Sequence, residues 1–345
     1  NKLKNKKVKI IDLSADFRLS NKHLYKKFYK KEHKAVNLIK KSIYTVSEFA
    51  KKDIKKYKII ACPGCYPTSI QLPLLPLIKK NLVNKKNIII DSKSGYSGAG
   101  KNLKKKFNHK NIYSSIHAYG ILKHRHTSEI DQEFKKISKS EVNYIFVPNL
   151  IPTFRGMLSS IYLELSKGIT ANKVFNELKK YHRNNFFVRI QPLNKDLGTE
   201  NVLNTNFCEI SICTLKEKGK ILILSAIDNL VKGAAGQAVQ NFNILYGFKE
   251  NLGLKWNFFS FYFFFLISCV GFNNEKTKKI YICGDHECKS KKEIRDYFDN
   301  NISVEVYTVT SSKKKSQVID LVQLNISDNE KKEYVALSTK EENIK

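Results

Sequence analysis

An α/β fold is predicted for this chain by three observations. An apolar run, Tyr57 to Ala61, stops at the turn-formers Pro63 and Gly64, and the apolar segment Ile70 to Ile78 follows at once, giving strand, turn and helix in succession. Asn143 to Val147 and Ser159 to Leu165 alternate as half-buried strands do, and Phe207 to Leu215 and Lys220 to Ile227 read as two more, joined by the turn Glu217-Lys218-Gly219. Ala171 to Tyr181 is an amphipathic helix among these strands.

The bulk numbers bound the possibilities. With 345 residues, 42% of them apolar, the chain can bury the cores of two ordinary domains. The net charge of +31 is that of a nucleic-acid binder, but only six of the 62 basic residues are Arg, and the lysines are scattered with Asn and Ile along nearly the whole chain. Specific nucleic-acid sites use Arg for bidentate base contacts and aromatics for stacking, and no such cluster is present. An AT-rich coding sequence explains the lysines more simply, so no nucleic-acid partner is expected. The seven Cys lack a disulfide-scaffold pattern, which places at least the first 250 residues in a reducing cytoplasm.

Taken in order, Val8 to Ile11 is a short strand, followed by Asp12-Leu13-Ser14-Ala15-Asp16-Phe17-Arg18, a charged loop or a local ion pair at a sheet edge. Residues 20–56 are expected to form helical pieces and surface loops. Next comes Ala61-Cys62-Pro63-Gly64-Cys65-Tyr66-Pro67-Thr68, in which Pro67 suits the first position of a helix because its missing N–H is not needed there. Cys65 then lies at a helix N-terminus, where the dipole and unpaired N–H groups lower a thiol pKa from about 8.5 towards about 3.5–7.5. It is either a nucleophile or a small buried Cys at a tight turn. The Cys62-x-x-Cys65 spacing also fits a redox disulfide or half a zinc site, but the second Cys-x-x-Cys of a zinc ribbon is missing, so no metal is expected.

Asn87 to Asp91 is a strand running into Ser92-Lys93-Ser94-Gly95-Tyr96-Ser97-Gly98-Ala99-Gly100-Lys101. Small residues there either turn flexibly or let successive N–H groups converge on a phosphate; the stretch is not a Walker A loop, since Asn102 follows Lys101. In Lys123-His124-Arg125-His126-Thr127-Ser128-Glu129-Ile130, His126 falls just before a helix that Thr127 would cap, and a His in a cleft can serve a Cys nucleophile as proton shuttle. A His-x-His zinc pair and plain surface histidines are the alternatives. Arg155, held by Pro148 and Pro152 on a rigid loop, either grips an anion or makes a structural ion pair. Asp228-Asn229-Leu230-Val231-Lys232-Gly233-Ala234-Ala235 opens a long helix to about Tyr246 whose small residues admit another backbone or a flat ligand.

These motifs, in this order, resemble the N-acetyl-γ-glutamyl-phosphate reductase family of arginine biosynthesis: IDLSADFR at 11–18, PGCYPT at 63–68, SGYSGAGK at 94–101, HRHTSEI at 124–130, RGM at 155–157, NTNFCEI at 204–210 and IDNLVKGAAGQAVQN at 227–241. The resemblance covers residues 1 to 254, and Ser128 stands where the family usually has Pro. It implies a homo-oligomer with a partial Rossmann domain (1–65, completed by helix 228–248) and a glyceraldehyde-3-phosphate-dehydrogenase-like mixed α/β domain (66–227). It implies that Cys65 attacks the acyl phosphate of a small-molecule substrate, with His126, or His124 in its place, as acid/base. Arg125, Glu129 and Arg155 would orient the substrate. Ser94, Gly95, Ser97, Gly98, Ala99, Gly100, Asn229, Lys232 and Gly233 would line the nicotinamide half of NADP. The family's opening Gly-rich turn precedes the first residue here, so weak NADPH binding is expected. An aspartate-semialdehyde-dehydrogenase-like reductase and a non-catalytic remnant are the other readings.

The tail has a different character. Trp256 to Phe272 is an apolar run of 17 residues, short of the ~20 that span a bilayer, and it resembles a bacterial lipoprotein signal with Leu266-Ile267-Ser268-Cys269 as its lipobox. Membrane contact is expected only through this 255–272 segment. Residues 273–345 form a small α/β module, with strands at Lys279 to Cys283 and Ser303 to Val309 and a helix from Lys291 to Asn300.

Overall fold

The computed structural model describes residues 8–99, 114–121, 123–254, 278–283, 286–287, 290 and 306–309. Contacts divide the chain into two units, 1–259 and 260–345. Within the second, β11 (Lys278–Cys283) pairs antiparallel with both β12 (His286–Glu287) and β13 (Val306–Val309). The apolar run 256–272, the helix expected at 291–300 and Gly100 lie outside the described residues.

The first unit is mixed α/β with two sheets. In the smaller sheet, β3 (Ile59–Ala61) lies between β1 (Ile10–Asp12) and β2 (Ser42–Tyr44), all parallel. Every residue of β3 is buried, as befits the centre of a parallel sheet. The connections carry α1 (Lys22–Tyr29), α2 (Val36–Ile39) and α3 (Ser47–Ala50). The sequence reading of 20–56 as helices and loops missed β2, a strand of three residues that begins on Ser42 and is defined by its pairing with β3.

The larger sheet has the order β5-β6-β4-β7-β10-β9-β8, with β4 (Ile88–Gly95), β5 (His117–Ala118), β6 (Tyr144–Ile151), β7 (Met157–Glu164), β8 (Val188–Ile190), β9 (Cys208–Thr214) and β10 (Lys220–Ile227). The β4–β6 and β8–β9 pairs are parallel and the rest antiparallel. Alternation decides its faces. Ile88, Ile90, Phe146, Ile161 and Leu163 point into the core, while Ile89, Ile145 and Tyr162 point away from it. On the core face lies α4 (Cys65–Lys79), flanked by α5 (Thr127–Ile137) and α6 (Ala171–His182). Helix α4 is mostly apolar and buried from Tyr66 to Ile78, with Thr68, Ser69 and Gln71 as its buried polar residues, the pattern of a central helix.

Three boundaries differ from expectation. Cys65, not Pro67, opens α4; Gly64 is the N-cap, and Pro67 takes the third position, where a missing N–H is still tolerated. Strand β4 runs on to Gly95, because Ser92 to Ser94 find partners in both β6 and β7 and Gly95 finds one in β6. The helix expected from Asp228 instead starts as a π-turn, Val231–Ala235, and continues as α7 (Gly236–Tyr246). Its Ile244 and Leu245 pack on Ile11, Ile43, Ile54 and Ile60 of the smaller sheet's core.

His182, at the end of α6, is buried; it bonds the Leu72 carbonyl through Nε2 (3.0 Å) and Asn185 Nδ2 through Nδ1 (2.9 Å). Burial holds its pKa down at about 4, helped by Lys232 and Lys51 and opposed by the Leu72 carbonyl and Glu48. The unfolded imidazole titrates near 6.5, so on acidification it takes its proton before the folded one does. The stabilisation is therefore complete above pH 6.5 and is lost as pH falls towards 4, by on the order of 3 kcal/mol. Urea unfolding at pH 7 and pH 4.5 is expected to show a larger loss in the native protein than in His182→Gln, which has no charge to gain.

Candidate active site

The turn into α4 is held on both sides of one residue, Gly64. Gly64 N–H donates to Glu129 Oε2 at 2.9 Å, and the Gly64 carbonyl accepts from Thr68 N (3.0 Å) and Thr68 Oγ1 (2.9 Å). Thr68 Oγ1 in turn accepts from Gln237 Nε2 (3.1 Å), whose Oε1 accepts from Ser47 N (3.2 Å). Cys65 is half-buried at the first helical position. Burial pushes its thiol up to about 11, against the N–H groups of Tyr66 and Cys65 and the charge of Arg18, which favour the thiolate. This corrects the expectation of a lowered pKa: the helix N-terminus acts as foreseen, but desolvation is larger. Cys62 is fully buried, bonded to Asn241 Nδ2 (3.4 Å), and both cysteines are free thiols.

His126 is buried against this turn as the N-cap of α5. A Cβ on Gly64 would drive straight into the His126 ring, so only glycine lets the imidazole approach. His126 Nε2 lies 3.8 Å from Glu129 Oε1, and Glu129, with no exposed surface, pairs with Arg18 Nη1 at 3.1 Å. Arg18 Nη2 also donates to the Leu13 carbonyl (3.0 Å). Glu129 thus faces protein groups rather than open space. His124 sits edge-on to Tyr66, Tyr119 and Phe146, at centroid distances of 5.2–5.6 Å, and its Nδ1 accepts from His126 N (3.3 Å). Tyr119 O–H donates to Tyr66 Oη (3.2 Å), and burial raises both phenols, which stay protonated. Arg125 is exposed, and its carbonyl accepts from Ser128 Oγ (2.6 Å), a bond that holds the loop where the family usually has Pro.

Across from the histidines, the π-turn presses Gly233 onto Cys65: a Cβ there would lie 2.6 Å from Cys65 Cβ. Asn229 joins this turn to the end of β4, with Oδ1 accepting from Gly156 N (2.8 Å) and Nδ2 donating to Ser97 Oγ (2.9 Å). Gly98 lies exposed over Ser94 Oγ and Asn229 Nδ2, next to Ala99. Gly95, Tyr96 and Ser97 do not fit the anion-loop reading, since they spend their N–H groups on the carbonyls of Gly156, Thr153 and Phe154 at 2.8–3.0 Å; Gly100 and Lys101 lie outside the described residues. Ser94 and Gly95 are buried strand residues. Lys232 does not fit the sequence reading either: fully buried, it pairs with Glu48 at 2.6 Å and Gln240 Oε1 at 2.8 Å. Arg155 makes the structural ion pair, its Nε 3.4 Å from Asp228 Oδ2 and its Nη1 on Asn204.

The structure therefore gathers Cys65, His126, His124, Glu129, Asn229 and Gly233, and adds Arg18, Thr68 and Gln237, which sequence reasoning had not placed there. All three lie in the motifs quoted above, Arg18 at the charged end of 11–18, Thr68 at the end of 63–68 and Gln237 within 227–241, but nothing in those motifs assigned them to the Cys65 turn. Among the described residues no group of three His, Cys, Asp or Glu could hold a metal ion.

Glycine at 233 is a steric requirement. Gly233→Ala is expected to destabilise the protein by about 1–3 kcal/mol, since the added methyl must displace the Cys65 backbone. The check is a urea melt together with the iodoacetamide rate of Cys65, which should change by more than that of Cys213.

The family model described as semialdehyde dehydrogenase, dimerisation domain, matches residues 65–229. A probable N-acetyl-gamma-glutamyl-phosphate reductase, chloroplastic, of Arabidopsis thaliana is 45% identical over 247 residues, which are 72% of this chain and 62% of that protein. The N-acetyl-gamma-glutamyl-phosphate reductase of Ehrlichia canis is 46% identical over 249 residues, 72% of this chain and 71% of the relative. That of Staphylococcus saprophyticus is 41% identical over 252 residues, 73% and 74%. The chain spans about 60% of the length of the two plant relatives it matches. At this identity over most of the bacterial relatives' length, the chain belongs to the N-acetyl-gamma-glutamyl-phosphate reductase family.

Proposed function

We propose that the chain carries out the NADPH-dependent reduction of N-acetylglutamyl 5-phosphate to N-acetylglutamate 5-semialdehyde, a step of arginine biosynthesis, through a thioester on Cys65. The observation that carries the reading is the seating of Cys65 at the head of α4, with His126 against Gly64 on one side and Gly233 on the other. A thiol pushed to about 11 is ionised to only roughly one part in ten thousand at pH 7. It needs a base, and His126 is the imidazole nearest its turn. His126 takes the thiol proton, Sγ forms a bond to the acyl carbon, and the C–O bond to phosphate breaks. The N–H groups of Cys65 and Tyr66 favour the Sγ thiolate as it forms. On release of the aldehyde the C–S bond breaks and His126 returns the proton to Sγ. Glu129 and Arg18 orient His126 and Gly64; Arg125, exposed beside the histidines, is the cation placed to meet a substrate carboxylate. His124, wedged among aromatic rings, serves to hold His126.

The residues present suit the neutral end of a nicotinamide cofactor. Ser97, Gly98, Ala99, Asn229 and Gly233 offer a hydroxyl, a carboxamide and bare backbone beside Cys65, and they would hold the ring there. When bound, the cofactor supplies the hydride that turns the thioester into an aldehyde. Both nearby cations, Lys232 and Arg155, are committed to carboxylates, so the described residues here offer the ring a seat and its phosphates none. The free thiols of Cys62, Cys65, Cys208 and Cys213 suit the reducing cytoplasm.

The open face of the larger sheet supports a homo-oligomer. Ile89 faces both Ile145 and Tyr162 in register, and the three are 43%, 58% and 41% exposed. Ile145→Asp is expected to halve the mass measured by light scattering while leaving the melting curve cooperative.

The activity test runs in reverse, with N-acetylglutamate 5-semialdehyde, phosphate and NADP, reading absorbance of the reduced cofactor. Cys65→Ala should abolish it, and His126→Asn should lower kcat by about 10²–10⁴-fold. Turnover that survives Cys65→Ala, or a preference for aspartate semialdehyde, would overturn the proposal.

A further inference from the structure

Helix α4 contains Pro73 and Pro76 well inside its length. A proline has no N–H for the carbonyl four residues earlier, so these two release the carbonyls of Ser69 and Leu72. Both residues are fully buried, where an unmatched polar group costs about 1–3 kcal/mol. Each carbonyl has been taken by a side chain from a different element. Ser225 Oγ, on β10, donates to the Ser69 carbonyl at 2.8 Å. His182 Nε2, on α6, bonds the Leu72 carbonyl at 3.0 Å, and Asn185 Nδ2 on its Nδ1 (2.9 Å) fixes the proton on Nε2. Ser225 is also within 3.3 Å of Ser69 Oγ, which donates to Ser159 Oγ at 2.8 Å, and Ser159 meets Ser92 at 2.7 Å.

We infer that Ser225 and His182 are positioning residues for Cys65, acting through the two carbonyls that the prolines release. Apolar burial is non-directional, so directional bonds set how α4 is turned and how far it slides along the sheet. These are the bonds of its buried polar side chains, Thr68 to Gln237, Ser69 to Ser159 and Gln71 to Tyr44, together with those on the two freed carbonyls. Ser69 lies one turn below Cys65 and Leu72 two turns below, on the same stripe of the helix. A latch on one carbonyl from the sheet and on the other from α6 fixes that stripe, and the nucleophile at its head is fixed with it. In an ordinary helix the Leu72 and Ser69 carbonyls would offer no such handle, because they would already be bonded from within.

The inference rests on Cys65 being the nucleophile, but its test does not require turnover. Alanine at position 73 restores the missing N–H, so the Ser69 carbonyl can close within the helix and Ser225 becomes dispensable. The full chain is compared as native, Ser225→Ala, Ser225→Thr, Pro73→Ala and the double variant S225A/P73A. The readouts are the urea midpoint and the iodoacetamide rate of Cys65, followed by mass spectrometry of the Cys65 peptide. Ser225→Ala should slow alkylation of Cys65 by about fivefold or more, and Ser225→Thr and the double variant should each recover most of it, as coupled neighbours do. If Ser225→Ala does not fold but the double variant does, the latch is equally supported. Equal losses in Ser225→Ala and the double variant, or lowered stability with an unchanged Cys65 rate, would overturn it. His182→Phe against Pro76→Ala repeats the cycle at the second carbonyl. Absence of semialdehyde oxidation by the native chain would count against the proposed reaction and leave this coupling readable.

Discussion

The site depends on a shortage of space around one backbone. Cys65 lies between two residues without side chains, and each absence is filled by something else: the His126 ring at Gly64 and the Cys65 backbone itself at Gly233. Gly64 is then held from both ends, its N–H by Glu129 and its carbonyl by Thr68. Glu129 carries that hold to Arg18 after β1, and Gln237 carries it from Thr68 to Ser47 on α3. Five separate stretches of chain thus converge on one turn. Because the groups are buried, leaving any of them unmatched would cost more than its bond contributes, which makes the arrangement close to all-or-none.

That crowding also explains the state of the thiol. A helix N-terminus stabilises a thiolate only through partial charges, whereas desolvation acts on the whole charge. With Cys65 packed under His126 and Gly233, desolvation is the larger effect and the thiol rises to about 11. The same packing brings the imidazole that can remove the proton. A nucleophile of this kind is quiet until its base acts, so the turn that hides the thiol is also the turn that supplies its partner.

How much of this was legible in the sequence depends on which groups signal locally. The strands of the larger sheet announce themselves by alternation, and Lys220–Ile227 was readable to the residue because Gly219 and Asp228 bound it. Cys65 and His126 stand out since each adjoins a turn or a helix start. Ser92 to Gly95 misled because small polar residues suit a loop equally well, and only pairing with β6 and β7 makes them strand. The short β2 and β5 are likewise defined by their neighbours and carry no signal of their own. Glu129 was visible as a charged residue near the histidines, but not as a group that would be spent on Arg18, 111 positions away.

Lys232 shows most clearly where counting along a helix fails. On an ordinary helix Lys232 and Gly233, being adjacent, would already point about 100° apart, so a motif that reads them as joint ligand contacts cannot hold for both. The π-turn adds a residue to the turn, with Gly233 N bonded to the Asp228 carbonyl (3.0 Å) and Ala235 N to that of Leu230 (3.1 Å). Within this turn Lys232 faces inward to Glu48 while Gly233 meets Cys65. Burial alone would push the Glu48 carboxyl up; Lys232 and Gln240 more than reverse this and hold it below the usual carboxylate range. A charge pair so deep adds little net stability against an apolar substitute, yet losing one partner is costly. Its effect here is one of geometry: Glu48, at the edge of the smaller sheet's helices, fixes the one residue whose neighbour must touch the nucleophile. The π-turn thus couples the two sheets of the unit to a single atom, Cys65 Cβ.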